Sequence, residues 1–270
     1  MKPIKRILAG MAAAVSLLAL SGCSSQGLDP NHLLVAHSHN ENHPVNVGMT
    51  ALCDEVSGKT QYTFSIYPNG QLGGNEDMIQ MVKAGVLDIA KVSSSSLEQF
   101  NPAYAIFSLP YTFQSTEHYF RTMRESEAVQ EIFRSTYDDG FIAIGWVDSG
   151  ARSIYTTKDG PETPDDLRGL KIRTQGSPTS IEMINNMGGA ATPMSSGEVY
   201  TSLQQGIIDG AENNETVLVD DGHGEVAKSY TYTQHQYTPD IVIISVETWE
   251  SMSEADQQAV HPVLQPVGDG

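Results

Sequence analysis

Positive charge is scarce in this sequence. It holds 15 lysines and arginines against 33 aspartates and glutamates, a formal net charge of −18 at pH 7. A surface this acidic repels nucleic acid and anionic lipid headgroups, so we expect no nucleic-acid partner. It also repels small anions at long range, so a site for an organic acid has to concentrate positive charge locally.

Cysteine is nearly absent, since Cys23 and Cys53 are the only two. Cys23 lies in a motif that predicts lipid modification, which leaves Cys53 without a partner for a disulfide inside the chain. Cys53 falls in an apolar stretch with helical spacing and is expected to be a small buried residue. The roughly 250 residues after the leader can bury a large core, as one domain or as two lobes.

Long hydrophobic runs are limited to the N-terminus. Residues 7–20 form an uncharged run behind a basic start, shorter than the about 20 residues that a membrane-spanning helix needs. The next residues, Leu20-Ser-Gly-Cys23, resemble a bacterial lipobox, which implies cleavage before Cys23 and a lipid on its sulfur. We expect a lipoprotein signal peptide over 1–22, an anchor tether over 23–32, and a protein on the periplasmic or outer face, anchored through Cys23.

Short β-rich runs alternate with helical stretches along the rest of the chain, separated by turn signals such as Pro68-Asn69-Gly70. This alternation predicts an α/β fold with largely parallel sheets. One long helical stretch is predicted over residues 117–137. The order of elements repeats after Val147, so we expect two similar lobes. Ligands bind between such lobes, beyond the carboxyl ends of strands.

One predicted strand ends in an arginine. Lys171-Ile172-Arg173 follows a turn bounded by prolines, and Asp209-Gly-Ala-Glu-Asn213 comes later in the chain. In a chain so poor in cations, Arg173 is well placed to hold an anion. A guanidinium pairs with a carboxylate through two parallel hydrogen bonds, a contact of about 1.5–3 kcal/mol. The alternative is an exposed ion pair between Arg173 and a surface carboxylate, which contributes little.

Several further motifs occur in a fixed order from about Leu33 to Val260. They are Pro68–Gly73, Gly85–Ala90, Phe107–Phe113, Asp165–Arg173, Thr192–Met194, Glu198–Tyr200 and Leu203–Asn213. Each motif is weak alone, but their order and spacing together are specific. The chain resembles the substrate-binding proteins of tripartite ATP-independent periplasmic (TRAP) transporters.

The resemblance implies a two-lobed periplasmic solute-binding protein fold with a central ligand cleft. It places lobe I at residues 33–150 plus 239–270 and lobe II at 151–238. It implies a monomeric receptor rather than an enzyme, with no cofactor and no metal. The receptor closes around a small organic acid and delivers it to sodium-coupled TRAP membrane subunits. A polar pocket favours a sugar acid such as a hexuronate, and a C4-dicarboxylate is the next choice.

The resemblance also assigns binding residues. Arg173 pairs with the substrate carboxylate, and Arg152 and Asn213 support it. An internal salt bridge from Arg152 to Asp148 is the alternative for that arginine, and Glu212 is expected to be a structural acceptor. The remaining residues expected to line the cleft are Ser93, Ser96, Asn75, His37 and His235.

The C-terminal segment departs from the pattern of this family. The long helix of the family should begin near Ser253, but Pro262 and Pro266 follow. A proline in a helix interior costs about 3 kcal/mol. We therefore expect the long C-terminal helix to be truncated and the bracing of the lobes or docking on the transporter to be impaired.

Two other functions stay open. The cluster of His37, His39 and His43 suggests a metal-dependent periplasmic hydrolase, since His-x-His pairs after strands bind zinc in such enzymes. A hydrolase needs further ligands and a general base, and no His-Glu-x-x-His stretch is present. The other possibility is a ligand-sensing lipoprotein that serves a sensor kinase.

Overall fold

The computed structural model describes residues 29–263. The predicted signal peptide, Cys23 and Pro266 lie outside these residues. Residues 1–32 form a unit of their own, in which the described part is a turn where the Asn31 amide donates to Asp29 Oδ1 at 3.0 Å. Residues 33–270 form the other unit. In the described range, no helix has both the length and the apolar character needed to cross a membrane.

Strands and helices alternate along the described chain, as predicted. The strands are β1 His32–Ala36, β2 Thr63–Tyr67, β3 Ile89–Ser93, β4 Phe141–Val147, β5 Ala151–Thr156, β6 Lys171–Thr174, β7 Ala190–Pro193, β8 Gly210–Asn213, β9 Ser229–Tyr237 and β10 Asp240–Ser245. The helices are α1 Pro44–Lys59, α2 Asn75–Lys83, α3 Ser94–Leu97, α4 Thr116–Glu125, α5 Glu127–Arg134, α6 Pro178–Asn186, α7 Val199–Gln204, α8 Thr216–Val219, α9 Val246–Ser251 and α10 Glu254–Val263. Short 3₁₀ turns cover Pro102–Phe107, Tyr137–Asp139, Pro164–Leu167, Ser196–Glu198 and His223–Glu225.

The strands form two sheets of five. The first has the order β2-β1-β3-β10-β4 and the second the order β7-β6-β8-β5-β9. The chain leaves the first sheet after β4, builds the second from β5 to β9, and returns to the first with β10. Both connections are short, at residues 148–150 and 238–239. Gly150 has a φ of +70°, a left-handed conformation that glycine adopts without strain. The lobe boundaries remain a prediction, and they fall in these two connections.

The expectation of largely parallel sheets is wrong. β1 pairs with β3, and β6 with β7 and β8, in parallel. β10 is antiparallel to β3 and β4, and β5 is antiparallel to β8 and β9. β5 and β10 are the two strands that directly follow the short connections between the sheets, and each is antiparallel to both of its neighbours.

The predicted helix over residues 117–137 is also wrong as one element. It is two helices, α4 and α5, because Ser126 has the extended ψ of 119° between them and serves as the cap of both. Serine is among the residues favoured at helix N-termini. Two strands were not predicted from the sequence. β7 has only the four residues Ala-Ala-Thr-Pro, and β9, with the residues Ser-Tyr-Thr-Tyr-Thr-Gln-His-Gln-Tyr, lacks the apolar alternation by which strands are recognised.

Both faces of the first sheet are buried. Ile241 and Ile243 of β10 pack in one core cluster, whereas Val242 and Ile244 pack in another. This follows from the period of two along a strand, because an apolar run without polar interruptions fills the core on both sides. The second sheet is covered in the same way: its strands contribute to two smaller core clusters. Both sheets are therefore held by core packing on their two faces.

Helix α10 starts where the sequence predicts. Ser253 Oγ accepts from the Asp256 amide at 3.1 Å and caps the helix. Val260 is buried in the same cluster as Met49 and Cys53 of α1. The helix continues through Pro262 to Val263. Burial raises the pKa of the Cys53 thiol to about 12, as expected for a structural cysteine.

Candidate functional site

The site is a cavity of about 340 Å³ between the ends of the two sheets, here named the arginine cavity. Strands of both sheets supply its wall. Its charged and amide-bearing lining includes Lys91, Asp240, Arg152, Arg173, Asn213, Asn75, Gln175, Asp220 and Asp221. Such a volume is in the range of sites for small molecules.

Arg173 lies on β6 and is 5% exposed. Its Nε and Nη2 donate to the carbonyl oxygen of Met194 at 3.0 and 2.7 Å. That backbone contact fixes the guanidinium and leaves the Nη1 edge free to donate. Among the described residues, no carboxylate forms an ion pair with Arg173. Burial disfavours the charged guanidinium and is the main reason that the pKa of Arg173 is lowered. A buried cation without an anion is costly, which makes Arg173 a receptor for one.

Arg152 on β5 already has its anion. Its Nε and Nη2 donate to the two carboxylate oxygens of Glu212 at 2.5 and 3.0 Å, and both side chains are buried. Burial opposes ionisation of both groups, yet the pairing outweighs it, so the pKa of Arg152 is raised and that of Glu212 is lowered to about 2. The predicted alternative partner, Asp148, is wrong: its Oδ1 accepts from the Gly150 amide. The predicted role of Glu212 as a structural acceptor is confirmed.

Asn213 at the end of β8 is bonded to Arg152. Its Oδ1 accepts from Arg152 Nη1 at 2.8 Å and from the Asn214 amide at 2.9 Å. Since the oxygen is committed, the amide orientation is fixed and Nδ2 remains to donate into the cavity. Arg173 is in register with Ala211 on the neighbouring strand, so Asn213, two residues further, lies on the same face of the sheet. Arg173 and Asn213 thus share one face of the sheet, and both line the arginine cavity.

Of the other five residues that the sequence analysis placed at the cleft, two line the arginine cavity. These are Ser93 and Asn75. The other three lie outside its lining. Ser96 Oγ donates to Glu76 Oε1 at 2.9 Å, His37 Nε2 lies 3.1 Å from Asn46 Oδ1, and His235 Nε2 lies 3.7 Å from Glu212 Oε2. Of these three, Ser96 bonds a residue of the cavity lining, since its Oγ accepts from Asn75 Nδ2 at 3.5 Å.

The sequence analysis missed Lys91, Gln175 and Asp221. Lys91 is 1% exposed and donates to Asp240 Oδ2 at 2.8 Å. Burial by itself raises the pKa of Asp240, but Lys91 and His39 outweigh it and hold that pKa well below its usual range. A lysine within the otherwise uncharged strand Ile89–Ser93 was the available signal, because buried lysines are almost always paired.

The three N-terminal histidines do not converge on a point. The rings of His39 and His43 are stacked with centroids 3.9 Å apart, and His43 Nδ1 accepts from the Val45 amide to cap α1. Burial lowers the pKa of His37 and His39 to about 4, so both are neutral at pH 7. Within residues 29–263, no group of three or more histidine, cysteine, aspartate or glutamate side chains is placed to hold a metal ion. The geometry therefore gives the metal-hydrolase hypothesis no support.

A second cavity, of about 690 Å³, adjoins the first and is more apolar. The two share five residues in their walls, His39, Ser149, Asn214, Thr216 and Asp240. Met49, Phe120 and Trp146 are part of its lining, which contains neither lysine nor arginine among the described residues. Although it is the larger of the two, this cavity has no group to neutralise an anion.

Comparison with known proteins identifies relatives of the whole fold. The family model for bacterial extracellular solute-binding proteins, family 7, matches residues 35–269. An uncharacterised protein of Salmonella typhimurium is 40% identical over 257 residues, which are 94% of this chain and 78% of that protein. A solute-binding protein of Chromohalobacter salexigens is 37% identical over 224 residues. These cover 82% of this chain and 66% of that protein.

Solved structures agree with the sequence comparison. A TRAP periplasmic solute-binding protein from Anaerococcus prevotii, with bound D-glucuronate, is 43% identical with a TM-score of 0.83. The match covers 87% of this chain and 79% of that one. A TRAP periplasmic solute-binding protein from Sulfitobacter, with bound β-D-galacturonate, is 33% identical with a TM-score of 0.82, and the match covers 86% and 78%. These findings match the receptor hypothesis and neither the hydrolase nor the sensor hypothesis.

Proposed function

We propose that this chain, which belongs to the family of TRAP solute-binding proteins, is a receptor that holds a sugar acid in the arginine cavity by its carboxylate. Proteins of this family bind solutes for transport and are not enzymes. Arg173 is the group that pairs with the carboxylate in this proposal. Asn213 donates a further hydrogen bond, and Arg152 keeps Asn213 in position.

The observation that carries the proposal is the unbalanced charge of Arg173. The guanidinium is buried and held by the Met194 carbonyl, and it forms no ion pair within residues 29–263. Leaving a charge buried without a partner costs several kcal/mol. A ligand carboxylate removes that cost and forms charge-assisted hydrogen bonds with the free edge of the guanidinium. A neutral sugar does neither.

The class of ligand is supported by the related structures. The Anaerococcus and Sulfitobacter proteins hold D-glucuronate and D-galacturonate, and both are more than 30% identical to this chain over most of its length. We infer a hexuronate or a similar sugar acid as the ligand here. Ser93 and Asn75 line the same cavity and can form hydrogen bonds with the hydroxyl groups of the ligand. In this proposal Ser96 holds Asn75 in place, and His235 lies beside Glu212, the partner of Arg152. His37 contacts Asn46, which does not line the cavity.

We further propose where the receptor works. The family is extracellular. A signal peptide over residues 1–22 and a lipid on Cys23 would keep the receptor on the membrane, close to its transporter. Delivery of the sugar acid to sodium-coupled TRAP membrane subunits, by a monomeric receptor, completes the function that the sequence resemblance implies. Closure of the lobes follows if the ligand binds the closed state more tightly than the open one.

A thermal-shift screen of the purified protein tests the proposed function. We expect D-glucuronate and D-galacturonate to raise the melting temperature by about 5 °C or more at 100 times their dissociation constants, since that occupancy adds about 2.7 kcal/mol. D-glucose, which has the same ring without the carboxylate, should give no shift. Equal shifts with the sugar and the acid, or no shift with any acid, would overturn the assignment. Stoichiometric zinc in the purified protein would instead favour the hydrolase.

A further inference from the structure

We propose that Asp221 determines specificity in the arginine cavity: it accepts a hydrogen bond from a ligand hydroxyl and rejects a ligand that carries a second carboxylate. The inference rests on the proposed function, because it concerns what surrounds the remainder of an acid held by Arg173. It narrows the ligand to a polyhydroxy acid with one carboxylate and excludes C4-dicarboxylates.

Three lysine or arginine side chains line the cavity, and two of them already have a carboxylate partner. Lys91 pairs with Asp240 at 2.8 Å, and Arg152 pairs with Glu212. Arg173 is the one lining arginine or lysine among the described residues without a carboxylate partner. The cavity can therefore neutralise one carboxylate of a ligand.

The aspartates of the cavity also disfavour a second ligand carboxylate. Asp221 lines the cavity and has no hydrogen bond or ion pair with another described residue. Burial is the main reason that the pKa of Asp221 is raised, with His43 and Lys91 acting in the opposite direction. The neighbouring Asp220 has His43 Nε2 at 4.0 Å, and burial lowers the pKa of that histidine. A second ligand carboxylate would therefore enter a space that already holds two aspartates, where like charges repel.

Two uncharged side chains of the cavity, Asn75 and Gln175, have buried oxygen atoms that lack a hydrogen-bond donor. Asn75 Nδ2 donates to Ser96 Oγ at 3.5 Å, and Ser96 Oγ donates onward to Glu76 Oε1 at 2.9 Å. This chain fixes the Asn75 amide, and its Oδ1 is buried without a protein partner. Gln175 Oε1 is buried and unpaired as well. Both residues line the cavity. An unpaired buried acceptor is satisfied by a hydroxyl donor, which an ionised carboxylate does not supply.

Isothermal titration with D-glucuronate and D-glucarate tests the inference. Glucarate carries a second carboxylate at C1. We expect the wild-type protein to bind glucuronate at least about tenfold more tightly than glucarate at pH 7.5, because the extra charge meets Asp221 and Asp220. In Asp221→Asn, this ratio should fall about fivefold or more. Asp159→Asn is the matched control: Asp159 is exposed and outside the cavity, and the variant has the same net charge.

The outcomes distinguish a wrong role for Asp221 from a wrong proposed function. If the wild-type protein binds neither acid, the proposed function fails and the inference with it. If it binds both acids equally, or if Asp221→Asn leaves the ratio unchanged, the receptor stands and the role of Asp221 is wrong. If Asp159→Asn changes the ratio of the two affinities by the same amount, the role of Asp221 is also wrong. Asp221→Ser gives a second measurement of the ratio if the asparagine variant does not fold.

Discussion

Replacing Arg173 by lysine should weaken the binding of D-glucuronate by more than about tenfold in isothermal titration. Two nitrogens of the guanidinium hold the Met194 carbonyl while its other edge faces the cavity. A lysine ammonium is a point charge without the planar fork, so it cannot hold the carbonyl and pair with a carboxylate through two parallel bonds. Arg173→Ala should lose about a hundredfold or more, since the ligand carboxylate is then buried without its cation.

Arg168→Lys is the matched control for this substitution. Arg168 lies five residues earlier, its side chain is 75% exposed, and it pairs with Asp165 on the surface. Exposed pairs contribute little, so this variant should bind glucuronate as the wild-type protein does. Unchanged affinity in Arg173→Lys, with the fold intact by circular dichroism, would show that the carboxylate is held elsewhere.

The second large effect concerns stability. Replacing Glu212 by glutamine should destabilise the protein by about 3 kcal/mol or more, because it leaves Arg152 buried without its anion. Glu212 also lies 3.7 Å from the fully buried His235. For a chain of this size the loss corresponds to a melting temperature lower by about 6 °C or more. Thermal unfolding followed by circular dichroism measures it. Glu162→Gln, an exposed glutamate in the loop before β6, is the matched control.

A double variant separates loss of the pair from loss of packing. Arg152→Met together with Glu212→Gln removes both charges while keeping most of the side-chain volume. We expect the double variant to be more stable than Glu212→Gln alone, since the uncompensated charge is gone. Additive destabilisation in this cycle would mean that Arg152 and Glu212 do not act as a pair.

The fold was largely predictable because its signals are local. Turn residues and short apolar runs predicted eight of the ten strands, all except β7 and β9. β9 was missed because its side chains are mostly polar and lack the apolar alternation of a half-buried strand. The single long helix was wrong because Ser126 can either continue a helix or cap the next one, and its neighbours give no preference.

The site was predictable in part. Arg173 stood out because cations are few and because the order of motifs resembles a known family. The partner of Arg152 was not predictable from its neighbours in sequence: Asp148 is close in the chain, whereas Glu212 comes from an adjacent strand. Which polar residues line the cavity depends on how the two sheets face each other. Ser93 and Ser96 are three residues apart, yet only Ser93 lines the cavity.

A crystal structure of the protein with D-glucuronate is the most direct test of the role of Arg173. We expect the ligand carboxylate within about 3 Å of the free edge of the Arg173 guanidinium. Asn213 Nδ2 should donate to the same carboxylate, and the Arg152–Glu212 pair should be unchanged. A carboxylate bound at Lys91 or in the apolar cavity, with Arg173 out of its reach, would contradict the proposed function of Arg173.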